Sequence, residues 1–418
     1  MRISTSSVFD LNVASMNQQQ SDLLQTQLHI SSGKRVMTPA DDPVAAAQAI
    51  SVNQAIATNT QYTTNQNSAN AALGLSDNAL QSVTTLLQSV QSLAVNAGSG
   101  TLSNTDRQSL ASTLKGDLSQ LLGLANSTDG SGNYIFAGTA GNVVPFTQTA
   151  TGVTYNGNDV QNLSQVATGR QIATNDSGAN IFMRIKNGNG SFATAASTSN
   201  TGSGVISQGS LTSPPPSSLQ AGNSYTLTFA VDAAGATTYS VTGTDSTGAA
   251  LPTVAQPGAL PTNVAYTSGQ SIGFNGIQFN VQGVPANGDT FTVAPSTNVS
   301  VFQTITNLVT SLNTAIIPGD SAATAQLNQQ VGAAISGLNQ AVTNVLTVRA
   351  SVGSRESEIS SLQTSSSSLD TIYRQQLSNL QDLNVTQAIS TLTQQQTGLT
   401  AAMQSFQKIS GLSLFNYM

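Results

Sequence analysis

The stretch from Leu338 to Leu383 constrains the fold more than any other part of the chain. Its apolar residues recur at alternating steps of three and four, and a step of about 3.5 residues is that of a coiled-coil seam. The seam positions are Leu338, Ala341, Val345, Val348, Val352, Ile359, Leu362, Leu369, Tyr373, Leu380 and Leu383, with the polar Ser366 at one position of the series. No proline interrupts the stretch, so it predicts one helix of roughly 68 Å at about 1.5 Å per residue. Such a helix needs partner helices to cover its apolar stripe.

Candidate partner helices lie in the same chain. Residues 1–32 predict an amphipathic helix, and the alanine-rich run from Val44 to Ile56 predicts the start of the next one. A second heptad seam runs from Leu73 to Ala94 and ends before Gly98 and Gly100. A further helix is predicted after Ser103, with leucines at steps of three and four up to Ala125.

The middle of the chain has the period of strands. Glycines separate short β-like pieces, and two alternating segments around Asp232–Gly235 predict a hairpin. Residues 193–222 are rich in Ser, Thr and Gly and contain Pro214-Pro215-Pro216, so they predict a loop or linker. After Pro295 the helical period returns. The predicted strand segments are Tyr134–Phe136, Val153–Tyr155, Tyr225–Phe229, Thr238–Val241, Ile272–Phe274, Ile277–Val281 and Thr290–Val293.

The order of helices, then strands, then helices predicts an α+β fold. We expect a long antiparallel α-helical coiled-coil rod formed by both termini, with an inserted mainly-β domain.

The composition excludes several classes of protein. Only 7% of the residues are charged and the net charge is −6, whereas charged residues make up about 25% of an average soluble domain. An acidic chain with few Lys and Arg argues against a nucleic-acid partner, and a weakly charged surface favours association with other copies. The absence of cysteine excludes disulfides, thiolate metal sites and cysteine nucleophiles.

The compartment is first predicted from the absence of targeting signals. No apolar run approaches the ~20 residues of a membrane span, so we expect no membrane partner. The N-terminus lacks the apolar region of a cleaved signal peptide. By these signals alone, the chain would be cytoplasmic.

A turn is predicted between the first two helices. Gly33 can end the first helix, and Asp42 followed by Pro43 is typical of an N-cap and a first helical position. Asp41 and Asp42 could also form a carboxylate pair for acid–base chemistry or a cation site, but the capping interpretation is stronger. Lys34 and Arg35 could contact phosphate, although a helix C-terminal charge or a salt bridge between subunits is more common for such a pair.

The residues of this turn resemble a known family. Residues 31–50, SSGKRVMTPADDPVAAAQAI, resemble the N-terminal signature of the bacterial flagellin superfamily. Within the superfamily, four further parts of the chain are similar to the hook–filament junction proteins, also called the third hook-associated proteins. These parts are the start MRIST, the region from Tyr155 to Phe182, the region from Gly269 to Val293 and the ending Leu412–Met418.

The resemblance implies a structural role in the bacterial flagellum and no enzymatic activity or cofactor. Copies of the chain would form a ring between the first hook-associated protein and the flagellin filament. The chain would be exported without a cleaved signal, with a dedicated export chaperone as a further partner, so the resemblance reverses the cytoplasmic prediction and implies an extracellular location. It also implies that Gly33, Arg35, Pro39, Asp41, Asp42 and Pro43 form a structural turn at the corner between the terminal helix and the core helices.

An apolar stripe near the C-terminus is the candidate assembly and chaperone surface. It consists of Ile389, Leu392, Leu399, Met403 and Phe406, with Leu412 and Leu414 beyond it. The alternative is an amphipathic helix that buries this stripe in its own core.

The resemblance and the periods together divide the chain into five parts. Residues 1–42 and 381–418 are the N- and C-terminal assembly helices. Residues 43–130 and 299–380 are the two parts of the helical core, and residues 131–298 are the β-rich insertion.

Two other functions are weighed against the junction protein. A filament flagellin would have the same terminal helices, and a secreted ligand-binding adhesin or enzyme would carry its activity in the insertion. The only histidine, His29, has no second histidine or cysteine to form a metal site or a triad, so a helix-surface position is the better interpretation.

Overall fold

The computed structural model describes residues 5–150, 152–212, 222–252 and 260–411. The helices are α1 (Thr5–Ser32), α2 (Pro43–Ala97), α3 (Asn104–Ala125), α4 (Val301–Asn313), α5 (Ser321–Gln381) and α6 (Val385–Gly411), and a short π-helix spans Ala179–Met183. The strands are β1 (Phe146–Thr149), β2 (Gly152–Tyr155), β3 (Leu163–Ala167), β4 (Arg170–Ala173), β5 (Ile185–Lys186), β6 (Phe192–Ala196), β7 (Val205–Ile206), β8 (Ser210–Leu211), β9 (Ser224–Val231), β10 (Thr237–Thr244), β11 (Val264–Ala265), β12 (Ser271–Phe274), β13 (Ile277–Gln282), β14 (Thr290–Pro295) and β15 (Asn298–Val299).

The predicted fold class is confirmed, because long helices precede and follow a mainly-β middle region along the chain. The described residues form two compact units. Unit 1 comprises residues 5–66, 166–168 and 360–411, and unit 2 comprises the described parts of residues 67–165 and 169–359. The five-part division made from the sequence stays a prediction.

Helix α2 carries a buried residue at every seventh position along its length. These residues are Ala45, Val52, Asn59, Gln66, Leu73, Leu80, Leu87 and Ala94. The predicted Leu73–Ala94 seam is therefore confirmed and continues toward the start of the helix. The sequence did not reveal this continuation, because Asn59 and Gln66 are polar and interrupt the apolar pattern.

Helix α5 contains the predicted seam from Leu338 to Ser366, whereas the predicted seam residue Leu369 is 39% exposed. Leu338, Val345, Val352, Ile359 and Ser366 are buried at seven-residue intervals. The helix begins earlier, at Ser321, and would be roughly 90 Å long at 1.5 Å per residue. It ends at Gln381, so the inclusion of Leu383 was wrong. The N–H of Leu383 donates to Gly33 O at 2.9 Å instead of continuing the helix.

Helices α3 and α4 pack together in unit 2. Ser103 caps α3 in a capping box with Asp106, and Ser300 caps α4 by accepting the N–H of Gln303. Both helices bury leucine or isoleucine on one face, because the apolar positions recur every three or four residues. The buried members are Leu114 and Leu121 on α3, and Ile305, Leu308 and Leu312 on α4.

An aromatic cluster lies beside α4 in unit 2. The ring of Phe146 on β1 lies 5.1 Å from Tyr155 and 5.4 Å from both Phe182 and Phe302, measured between centroids. Phe182 belongs to the π-helix, so the cluster joins this short helix to β1, β2 and α4. Edge-to-face and tilted arrangements of this kind add to the free energy of burying the rings.

The β-rich part of unit 2 contains two larger antiparallel sheets. One sheet has the strand order β11-β10-β9-β14-β6, and the other has the order β12-β13-β7, with β8 also paired to β13. The predicted hairpin is confirmed as β9–β10, in which Phe229 pairs with Tyr239 and Leu227 with Val241. Inward residues of both sheets share one apolar core. Its members include Phe192, Tyr225, Leu227, Phe229, Val241, Ile272, Ile277, Phe279, Val281, Phe291 and Val293.

The same aspartate turn occurs three times in unit 2. Asp129, Asp232 and Asp245 each accept, through Oδ1, the N–H groups two and four residues ahead at 2.8–2.9 Å. In each turn the residue three positions after the aspartate is a glycine with φ between +84° and +87°. A side chain at that position would be strained, which explains the repeated Asp-x-x-Gly pattern.

Two sequence predictions in the middle region were wrong. Residues 193–222 were expected to be a loop or linker, yet β6, β7 and β8 lie between residues 192 and 211. Ser and Thr fit a strand when its neighbours supply the apolar core, so composition was misleading there. Pro214-Pro215-Pro216 lies outside the described residues. Tyr134–Phe136 is not a strand and forms only an isolated bridge between Tyr134 and Thr128.

Ion pairs hold β4 and the segment after it against α5 within unit 2. Arg170 donates to both carboxylate oxygens of Glu358, at 2.5 and 2.6 Å. Arg355 pairs with Asp176, and its second nitrogen donates to Ala173 O at 2.9 Å. Two-point arginine contacts fix direction as well as distance, so they position this segment.

We expect Asp117→Asn to raise the melting temperature at pH 7. Burial raises the pKa of the Asp117 carboxyl, and its Oδ2 has no hydrogen-bond partner within α3 or around it. The folded state therefore binds this proton more tightly than the unfolded state, and the ionised carboxylate destabilises folding above the folded-state pKa. The gain should vanish near pH 3, below the ordinary aspartate pKa of about 3.9, because Asp117 is then neutral in both states.

Thermal melting followed by circular dichroism at both pH values checks this expectation. The matched control is Asp10→Asn, at an exposed position of α1, which should change the melting temperature little at pH 7. A lower melting temperature for Asp117→Asn at pH 7 would contradict an unfavourable carboxylate.

Candidate functional site

Helices α1 and α6 pack against each other in unit 1 and run antiparallel. At one end, the rings of Phe9 and Phe406 lie 4.6 Å apart. At the other end, Lys34 and Asp382 form an antiparallel bridge. The two segments nearest the chain ends are thus joined along their lengths, and they contain the predicted apolar stripe.

One part of the predicted stripe faces α1. Leu392 and Leu399 precede Phe406 by multiples of seven residues, so all three lie on one side of α6. All three are partly buried, and Ala388 on the same side is buried. A helix of the same chain partly covers these residues, and their role in assembly stays a prediction.

The other part of the stripe is exposed. Ile389 is 51% exposed and Met403 is 41% exposed, and Val385 in the first turn of α6 is 49% exposed. Leu412 and Leu414 lie outside the described residues. On α1, the large apolar side chains that the structure describes as exposed are Phe9, Leu11, Val13, Leu24 and Leu28. We call the exposed apolar side chains Leu11, Leu24, Leu28, Val385, Ile389 and Met403 the outer apolar surface.

Two glutamines weaken the seam between α1 and α6. Counting along the two helices from the Phe9–Phe406 contact places Gln19 and Gln395 at the same level. The Oε1 atoms of both are buried and have no hydrogen-bond partner. A buried acceptor without a donor costs free energy, so the apolar contacts of the pair must offset this cost.

The six predicted turn residues lie together between α1 and α2. Gly33 follows the last residue of α1 with φ +70°, a conformation that glycine adopts at little cost. Asp41, between Pro39 and Pro43, accepts the N–H groups of Met37 at 2.9 Å and Thr38 at 2.8 Å through Oδ2. These bonds, led by that from Thr38, lower the pKa of the Asp41 carboxyl.

Asp42 begins α2. Its Oδ1 accepts the N–H of Ala45 at 3.0 Å, and its Oδ2 accepts from Arg35 at 3.1 Å. The bond from Ala45 first, and then that from Arg35, lower the pKa of the Asp42 carboxyl. Both aspartates therefore favour the ionised form and use their oxygens to hold the turn.

Arg35 also connects the turn to the end of α5. Its Nη2 donates to Leu380 O at 2.8 Å, and its backbone N–H donates to Gln381 O at 2.6 Å. A cation beside the last carbonyls of a helix is favourable, and Arg35 has this position at the end of α5. The acceptors were not identifiable from the sequence, because they are backbone atoms some 345 residues further along the chain.

His29 lies on α1, and its Nδ1 is 2.9 Å from Lys34 O. Among the residues that the structure describes, no group of three or more His, Asp or Glu side chains could hold a metal ion. A cavity of about 440 Å³ lies in unit 2 between α4, α5 and β5, and Lys186 is the ionisable residue of its lining. That lining offers no pair of titratable groups for acid–base chemistry.

No described helix combines the length and the apolar composition needed to cross a membrane.

The chain is similar to proteins of the flagellum over nearly its whole length. Residues 3–141 match the family described as the bacterial flagellin N-terminal helical region. Flagellar hook-associated protein 3 of Escherichia coli strain K12 is 30% identical over 420 residues, which cover 99% of both chains. The protein of the same name from Salmonella typhimurium is 29% identical, again over 99% of both chains.

Solved structures agree with these relatives. The crystal structure of Xanthomonas campestris FlgL is 32% identical and has a TM-score of 0.68, covering 78% of this chain and 99% of that one. The flagellar junction protein FlgL from Legionella pneumophila is 29% identical with a TM-score of 0.69, covering 80% of this chain and 100% of that one. The identity of 30% over 99% of both chains, together with the shared fold, shows that the chain belongs to the flagellar hook-associated protein 3 family.

Proposed function

We propose that this chain is a structural subunit of the bacterial flagellum that connects the hook to the filament. The main support is that the chain is 30% identical to a flagellar hook-associated protein 3 over 99% of both chains. The solved relative described as a flagellar junction protein supports the finer location. The subunit acts without catalysing a reaction and needs no cofactor.

Assembly is proposed to occur between copies of the chain through α1 and α6. The outer apolar surface on these helices contains no charged residue, so a second copy can cover it without the cost of burying an unpaired charge. We propose that α1 of one copy meets α6 of the next copy, which is a contact between two different surfaces. Contacts of that kind repeat around a ring.

The remaining partners follow from this position in the flagellum. The first hook-associated protein and flagellin would contact the ring on its two sides, and an export chaperone would cover the C-terminal helix before assembly. The subunit would be extracellular and exported without a cleaved signal peptide. Residues 1–42 and 381–418 would serve as the assembly helices, residues 43–130 and 299–380 as the helical core, and residues 131–298 as the insertion.

Deletion of the gene in its own bacterium tests the proposed function. We expect cells that carry hooks without filaments, with unpolymerised flagellin in the medium, because the filament has no subunit to grow from. Electron microscopy of the cells and an assay of flagellin in the medium make the measurement, and the full chain supplied from a plasmid is the control. Hooks without filaments and without flagellin would instead identify the filament subunit, and normal filaments would contradict both assignments.

The double variant Ile389→Gln/Met403→Gln tests the outer apolar surface. Burial of one such side chain is worth about 1.5–3 kcal/mol, so two polar replacements should weaken association by tenfold or more. We expect fewer filaments per cell and an unchanged melting temperature, because both side chains are exposed in the single chain. The matched control is Thr393→Gln/Thr400→Gln, which changes two exposed threonines of the same helix. Equal filament numbers for both double variants would count against the surface.

Substitution of Asp42 tests the turn. Asp42→Ala removes both the cap of α2 and the ion pair with Arg35, whereas Asp42→Asn keeps an N-cap side chain and loses only the charge. We expect the melting temperature to fall more for Ala than for Asn, and limited proteolysis between residues 33 and 42 to accelerate in the same order. An equal effect of both variants would mean that the charge of Asp42, and not its cap, holds the turn.

A further inference from the structure

Three buried polar residues meet across two turns of the helical seam in unit 1, and we call this part of the seam the polar level. Asn59 and Gln66 occupy consecutive seam positions of α2, and Ser366 occupies a seam position of α5. Other seam positions of α2 in unit 1 carry Ala45 and Val52. The polar level is therefore a local departure from an otherwise apolar seam, at positions where polar side chains are costly unless they are paired.

The three side chains are connected by hydrogen bonds. Gln66 Nε2 donates to Ser366 Oγ at 3.1 Å, and Asn59 Nδ2 donates to Ser366 O at 2.8 Å. All three residues are less than a tenth exposed. Asn59 thus binds the backbone of the helix that faces it, and Gln66 binds the side chain.

A third segment of the chain reaches the same level. Gln66 Nε2 also donates to Val166 O at 2.7 Å, and Val166 is fully buried. The hydroxyl groups of Tyr62 and Thr168 lie 3.5 Å apart. Gln66 therefore donates the hydrogen bond that satisfies the buried Val166 carbonyl, where this segment meets the helices of unit 1.

The polar level is incompletely satisfied. Gln66 Oε1 is buried and has no hydrogen-bond partner. A buried acceptor without a donor lowers the free-energy difference between the closed helix pair and a locally opened one. Packing alone would favour leucine at this seam position, so the amide must be explained by what it binds.

We propose that Asn59, Gln66 and Ser366 form a polar latch that seats Val166–Thr168 on the helix pair of unit 1. The latch binds the segment, but its polar groups lower the stability of the helix pair. This part of α2 therefore opens more readily than the apolar parts of the same helix. Gln66 acts as a positioning residue, because it holds the segment through the Val166 carbonyl.

The latch makes opposite predictions for the two parts that it joins. In Gln66→Leu the seam becomes apolar and the unpartnered Oε1 is removed, while the Ser366 hydroxyl, which loses its donor, can rotate to bond within its own helix. The Val166 carbonyl loses its donor in the same variant and stays buried only at a cost. The helix pair should therefore tighten while the segment is released.

Amide hydrogen exchange on the full chain at pH 7 measures both effects. In the unmodified chain we expect faster exchange in peptides around residues 59–66 than around residues 80–87 of α2. In Gln66→Leu we expect exchange to slow around 59–66 and to accelerate, by roughly tenfold, in the peptide that contains residues 166–168. Gln66→Met carries the same test if the leucine variant does not fold.

Ser76→Ala is the matched control. Ser76 is a fully buried residue of α2 whose hydroxyl has no partner, but it binds no other segment. This variant should slow exchange around residue 76 and leave residues 166–168 unchanged. The proposal is overturned if Gln66→Leu changes both regions in the same direction, or leaves the exchange of residues 166–168 unaltered.

Discussion

The burial of seven-residue apolar patterns by helices of the same chain is the interaction on which this structure depends. Helices α2 and α5 are each too long and too narrow to bury their own stripes. Sequence-distant helices must therefore meet, as α1 and α6 do in unit 1 and α3 and α4 do in unit 2. Because both ends of the chain form these packed helices, the β-rich middle is an insertion between them.

The few charged side chains of this protein mainly hold segments of the chain in position. Six of the described arginines form ion pairs with carboxylates. One pair lies at the turn after α1, one within α5 and three between α5 and its neighbours in unit 2, and Arg184 at the end of the π-helix pairs with Asp159. Arg107 is the described arginine without a carboxylate partner, and it donates to Leu102 O and Asn104 instead. Most of the remaining surface is polar and uncharged, and such a surface favours the association between copies that we propose.

The features of the candidate site that depend on neighbouring residues could be predicted from the sequence. The features that depend on distant residues could not. The turn residues could be recognised because Gly33 and Asp42 act on their immediate neighbours through a left-handed conformation and an N-cap. Their distant partners, the carbonyls of Leu380 and Gln381, leave no signal in the sequence. The stripe on α6 was recognised as apolar, but the sequence could not separate Phe406, which meets Phe9, from Ile389, which is exposed.

The sequence by itself determined where the long helices lie, where the first helix turns and where the β9–β10 hairpin lies, because these features follow from periods and from local backbone chemistry. Only the tertiary structure decided what covers each face. It turned the Ser- and Thr-rich residues after 192 into strands, because neighbouring strands supply their core. It also gave Gln66 a role, because a polar residue in an apolar seam is explained by the Val166 carbonyl that packing brings to it. A period identifies an apolar side of a helix, but the residues that meet it come from distant parts of the chain.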